Sequence, residues 1–98
     1  MIEPIRYFGT REEAVHSVLS VLHSLPRVTI VEATDTYIHS VFTTRIMRFK
    51  DDVEFFFPRN NDIIHFRSAS RIGQSDMGKN HSRMEMVREA ILEALQIQ

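Results

Sequence analysis

The side chains best able to do chemistry are concentrated between Arg59 and Arg83. Five cations (Arg59, Arg67, Arg71, Lys79 and Arg83) stand there against two acids, Asp62 and Asp76, in a chain of formal net charge −1. The centre of the run holds Arg67, Ser68, Ser70, Arg71, Gly73, Ser75, Asp76, Gly78 and Asn80, with Arg83 one helical turn further on. Asp51, Asp52 and Glu54 lie upstream. Guanidinium groups match the geometry of carboxylate and phosphate, so two chemistries are open. In the first, Arg67 and Arg71 flank a Gly/Ser loop that runs into a helix N-terminus, where backbone N–H groups favour a small anionic ligand. In the second, Arg67, Arg71 and Arg83 pair with Asp51, Asp52, Glu54 and Asp76 and latch the last helix to the rest of the fold. Asp76 favours the latch, because a carboxylate in the loop repels an anion. The glycine spacing is neither that of a Walker loop nor that of a dinucleotide fingerprint.

Other chemistries have weaker support. Ser68, Ser70 or Ser75 with Asp76 and His65 or His81 would be the material of a hydrolase, but Gly73-Gln74-Ser75-Asp76-Met77 breaks the Gly-x-Ser-x-Gly pattern, and serines beside an Asp more often cap helices or close turns. The five histidines show no metal-binding spacing. His16 and His23 fall on the polar side of a helix. His39 and His65 share the open side of a sheet with an unknown register. No catalytic residue, metal or cofactor is assigned.

The elements that position these groups follow from periodicity. Thr10-Arg11-Glu12-Glu13 reads as a capping box. Ala14, Val15, Val18, Leu19, Val21, Leu22 and Leu25 then form one helical face, with Glu12, His16, Ser17, Ser20, His23 and Ser24 on the other. Pro26 ends the helix. Four strands follow: Val28–Ala33; a long Tyr37–Phe49 with a bulge near Met47-Arg48-Phe49; Asp52–Phe57 after a Lys50-Asp51 turn; and Ile63–Ser70. Arg71–Lys79 reads as a loop. A second helix from about Asn80 to Leu95 carries the stripe Met84, Val87, Ala90, Ile91, Ala94 and Leu95, and Arg83 and Asn80 share that face, so both point toward the sheet. A buried Arg needs a partner. The fold expected is α+β: two layers, a four-stranded antiparallel sheet with two helices on one face, in the order α-β-β-β-β-α. The side carrying Ile38, Phe42, Ile46, Val53, Phe55, Ile64 and Phe66 is covered. The other side displays Tyr37, His39, Thr43, Arg45, Asp52, Glu54, His65 and Arg67, with Phe56 and Val41 as candidates for an apolar patch where two copies could meet.

Composition bounds the function. At 98 residues the chain has room for one core, and residues 1–98 read as a single domain. The apolar fraction of 43% excludes a disordered chain. Without Cys there is no disulfide or thiolate metal site. No apolar run approaches the roughly 20 residues of a membrane helix, and a charge near zero provides no overall field toward nucleic acid or anionic lipid. The sequence therefore predicts no nucleic-acid and no membrane partner. Met1-Ile2-Glu3-Pro4 resembles no signal or lipidation motif, which makes the cytoplasm the expected compartment.

Arg67-Ser68-Ala69-Ser70-Arg71-Ile72-Gly73-Gln74-Ser75-Asp76-Met77-Gly78-Lys79-Asn80 with Arg83, and Phe49-Lys50-Asp51-Asp52-Val53-Glu54-Phe55 upstream, resemble the hallmark motifs of the domain-of-unknown-function family 1499. The resemblance extends from Ile2-Glu3-Pro4-Ile5 through Leu25-Pro26-Arg27 to the last helix. That family is bacterial, with some chloroplast members, and has no established activity, substrate or cofactor. Longer members carry a Pro-Asn-Cys-Val-Ser-like segment ahead of this region, and this chain begins after the place it would occupy. The resemblance implies the domain's extent and its focal residues and supplies no mechanism. The function expected from the residues is a non-enzymatic binding or interaction module with a structural Arg/Asp network. The alternative is an enzyme or binding protein that holds a small phosphate or carboxylate ligand with Arg67, Arg71 and Arg83.

Overall fold

The structure is a computed structural model that describes residues 3–71 and 77–97, with side chains for 3–71 and 83–96. Seven elements follow one another: β1 (Ile5–Arg6), α1 (Arg11–Ser24), β2 (Val28–Ala33), β3 (Tyr37–Thr43), β4 (Lys50–Phe56), β5 (Ile63–Ser70) and α2 (Met77–Ile97). The five strands form one antiparallel sheet in the order β1-β5-β4-β3-β2, so β4 is central and β1 and β2 are the edges.

The sheet has five strands where the sequence predicts four. β1 pairs Ile5 with Ile64 and Arg6 with Ile63. Two residues are too short to show a period, yet Ile5 is fully buried. The chain turns from β1 into α1 at Gly9, whose φ of +100° suits glycine. A Cβ there would stand 2.8 Å from Glu13 Oε1. That carboxylate oxygen accepts from Thr10 N at 2.9 Å, while Glu13 N donates to Thr10 Oγ1 at 3.1 Å, completing the capping box.

Alternation along the inner strands builds the core. Ile38, Phe42, Val53, Phe55, Ile64 and Phe66 face the helices and join Val18 and Leu22 of α1 with Met84, Val87 and Ile91 of α2 in one cluster. Each large side chain fully removed from water stabilises the fold by about 1.5–3 kcal/mol. α1 also packs against α2. Its buried stripe is therefore wider than its apolar residues alone suggest: Ser17, which the sequence places on the polar side, is buried.

Several boundaries differ from the sequence reading; β4 ends at Phe56 rather than Phe57 and α2 at Ile97 rather than Leu95, and three differences matter for the site. β3 stops at Thr43. The residues beyond it form a loop in which Thr44 N donates to Phe49 O at 2.8 Å and Phe49 N donates to Thr44 Oγ1 at 2.8 Å. Ile46, expected on the covered face, is 85% exposed at the loop's tip, and Arg45 lies in the loop instead of on the sheet. Lys50 and Asp51, read as a turn, belong to β4, and Asp51 is buried. Finally, α2 begins at Met77 rather than near Asn80.

Candidate functional site

The site is organised by β4. Because side chains alternate along a strand, Asp51, Val53 and Phe55 face the helices and Asp52, Glu54 and Phe56 face the side that no helix covers. The register then fixes the neighbours. Asp52 stands between Val41 and Ala69, Glu54 between His39 and Arg67, and Phe56 between Tyr37 and His65.

On the inner side, Arg83 reaches from α2 to the sheet. Its Nη2 donates to Asp51 Oδ2, and its guanidinium lies over the Phe42 ring, 5.5 Å from the centroid. The Asp51 side chain is 9% exposed and that of Arg83 is 22% exposed. An inward charge pair of this kind holds its partners strongly, because removing one strands the other away from water. Ser68 and Ser70 lie on this same face, half-buried, paired in register with Val53 and Asp51.

On the outer side a second network runs across three strands. Arg71 grips Asp52 with two bonds, Nε to Oδ2 and Nη2 to Oδ1, both 2.9 Å. His39 Nε2 lies 2.7 Å from Asp52 Oδ1. A carboxylate only accepts, so the imidazole carries a proton on Nε2. Tyr37 donates its hydroxyl to Glu54 Oε2 at 2.5 Å, and Arg67 Nε donates to Glu54 Oε1 at 2.8 Å. The Arg67 guanidinium also sits 5.9 Å from the centroid of Phe56, which packs against Tyr37 with ring centroids 5.3 Å apart.

The electrostatics follow from these bonds. The Arg71 guanidinium, with His39 beside it, pulls the Asp52 carboxyl down to about 2. The hydrogen bond to Glu54 pushes the Tyr37 phenol up to about 12. Glu54 is lowered in turn, chiefly by the Tyr37 hydroxyl and then by Arg67. Each group is held in the protonation state it already has at neutral pH.

The structure thus divides the residues picked out by sequence. Arg83 with Asp51 lies between α2 and the sheet. Arg67 and Arg71 with Glu54 and Asp52 lie on the opposite face, where their side chains are 70% and 47% exposed, so these two arginines meet acids without turning into the core. The sheet therefore separates Arg83 from the other two. Gly73, Ser75 and Asp76 lie outside the described residues, as do the side chains of Asn80, Lys79 and His81; Gly78 falls within α2. His65 is on the outer face, so it does not meet Ser68 or Ser70. Arg59 is at the far end of the sheet, bonded to Asp35 at 3.1 Å. Tyr37, His39 and Phe56 enter the network through register, which spacing alone does not reveal. Among the described residues, no three His, Asp or Glu side chains are placed to hold a metal ion, and no helix is long and apolar enough to cross a membrane. A shallow groove of about 370 Å³ lies elsewhere, between α1 and the β2–β3 turn, lined by residues such as Val15, Leu19, Ala33 and Asp35. It includes none of these arginines.

Residues 1–91 match the family described as Protein of unknown function (DUF1499). The chain belongs to the DUF1499 family. The matched region takes in all five strands and both charge networks, so the DUF1499 sequence pattern covers the residues that organise the two faces of β4. Neither a curated protein nor a solved structure matches the chain.

Proposed function

We propose that this chain acts as one domain, a non-enzymatic interaction module, and that its working surface is the uncovered face of the sheet, where a second copy of the chain docks. The observation that carries the non-enzymatic reading is that the acids of this face are already bonded, Asp52 by Arg71 and His39 and Glu54 by Tyr37 and Arg67, and the shifts of the ionisable groups agree with it. A general acid or base works best with a pKa near the operating pH. Asp52 at about 2 and Tyr37 at about 12 have been moved away from it in both directions.

Charge zoning supports a second copy as the partner. Arg67 stands on β5 and Arg71 just past its end, Glu32 stands on the β2 edge, and the half-buried Tyr37 and Phe56 lie between them; Val41, expected in an apolar patch on this face, is buried. A twofold axis running along β4 sets β5 of one copy over β3 of the other and β1, with its exposed Arg6, over the acidic β2 edge, and closed twofold dimers are the commonest oligomers. Stacked sheets pack about 10 Å apart, which suits a layer of aromatic side chains.

Sedimentation equilibrium tests this reading. The mass of the wild type is expected to rise with concentration from 11.5 kDa toward twice that value. Phe56→Asp is expected to stay at the single-chain mass with unchanged circular dichroism. A wild type that remains a single chain at the highest concentration overturns the proposal.

One observation favours a second reading, a small anionic ligand. Arg67 bonds a carboxylate through Nε alone and its side chain is largely exposed. Since Arg83 is on the other face, this site reduces to Arg67 and Arg71. A rise in melting temperature with inorganic phosphate that disappears in Arg67→Ala would support it.

A further inference from the structure

The loop between β3 and β4 carries an unusual combination. Ile46 and Met47 project from it, 85% and 65% exposed. They are bracketed by Arg45 and Arg48, both exposed, with Lys50 exposed at the start of β4. Thr43 N donates to Arg27 O at 2.9 Å, which brings exposed Arg27 to the base of the same hairpin. None of these four cations has an acidic partner among the described residues. The nearby acids are committed elsewhere, Asp51 to Arg83 and Asp52 to Arg71 and His39. The neck is closed by the paired bonds between Thr44 and Phe49, and Arg48 turns the chain at φ +59°. The tip is therefore a held, convex structure.

We propose that this tip docks on a bilayer surface rich in anionic lipid, with Ile46 and Met47 entering the headgroup–acyl boundary and Arg27, Arg45, Arg48 and Lys50 meeting the phosphates. Two apolar side chains ringed by cations is the chemistry of interfacial binding. Aliphatic side chains neither stack on bases nor read their edges, so nucleic acid explains the cations and leaves Ile46 and Met47 unexplained. A protein partner needs on the order of 1,000 Å² of interface, more than a four-residue tip presents. The net charge of −1 does not argue against this docking, because it is a sum over the chain, whereas a surface field decays within about 8–10 Å at physiological salt.

The test is co-sedimentation of the full chain with vesicles of phosphatidylcholine alone, and with vesicles of equal parts phosphatidylcholine and phosphatidylglycerol, at low and physiological salt. Binding is expected to the mixed vesicles only and to weaken with salt. Ile46→Ser with Met47→Ser is expected to reduce it about tenfold or more. Arg45→Gln and Arg48→Gln are each expected to reduce it about fivefold. All four positions are exposed, so melting temperatures should be unchanged, which separates lost docking from lost folding. Three results would overturn the proposal: no binding to mixed vesicles at low salt; full binding by the Ile46→Ser, Met47→Ser variant; or single-stranded RNA bound as tightly as the vesicles by wild type and that variant alike.

Discussion

Asp51 and Asp52 are consecutive residues of β4 that act on opposite sides of the sheet. Asp51 faces the helices and accepts from Arg83 of α2, while Asp52 faces the uncovered side and is gripped by Arg71 and His39. The strand's alternation thus splits one acidic dipeptide between two tasks. The inner carboxylate anchors a helix. The outer one orders the surface that the proposed partner meets.

The outer pair has a signature in acid. Asp52 ordinarily titrates at 3.8 and is held at about 2 in the fold. A folded-state value below the unfolded one means that the contribution is complete above about pH 4 and is lost as the pH falls toward about 2. Asp52→Asn is expected to be less stable than wild type at neutral pH, with the gap narrowing across that acid range. Urea unfolding at a series of pH values measures it, and a gap that stays constant down to about pH 2 contradicts the Arg71–Asp52 bond.

The bond between Tyr37 and Glu54 has a spectroscopic readout. In a Tyr7→Phe background only the Tyr37 phenol titrates, and its ultraviolet absorbance should change near pH 12. Glu54→Gln removes the charged acceptor and is expected to bring the midpoint down toward the ordinary value of 10.0. An unmoved midpoint would show that Glu54 is not the cause.

Ile5 tests the fifth strand. It is fully buried against Ile64 although its strand is two residues long. Ile5→Ala is expected to destabilise the chain by about 2–4 kcal/mol in chemical denaturation, as for other large-to-small changes in a packed core. A cost below about 0.5 kcal/mol would show that β1 is not docked.

What was legible in the sequence depended on how far each signal travels along the chain. Val28–Ala33 and Ile63–Ser70 are readable as strands, and Ile38, Phe42, Val53, Phe55, Ile64 and Phe66 as the inner face of the sheet, because a period of two needs only neighbouring residues. The Thr10–Glu13 capping box was equally local. β1 escaped because only its long-range pairing with β5 defines it. The β3–β4 loop reads as a continued, bulged strand because Ile46 and Met47 are apolar and Arg48 takes a positive φ without a Gly or Asn to mark it. Lys50-Asp51 reads as a turn because two charged residues suggest solvent, whereas Arg83, remote in sequence, makes the burial of Asp51 tolerable. The acids around Arg67, Arg71 and Arg83 could be named from the sequence. Which acid met which arginine, and on which face, waited on register.

The division of labour along β4 is tested most directly by a double-mutant cycle on its inner member, with unfolding free energies measured for wild type, Arg83→Ala, Asp51→Ala and the double variant. If Arg83 ties α2 to the sheet through Asp51, each single change costs about 3 kcal/mol and the double variant costs little more than either one. Losses that simply add, or an Arg83→Ala cost below about 0.5 kcal/mol, would mean that the helix is held without the pair.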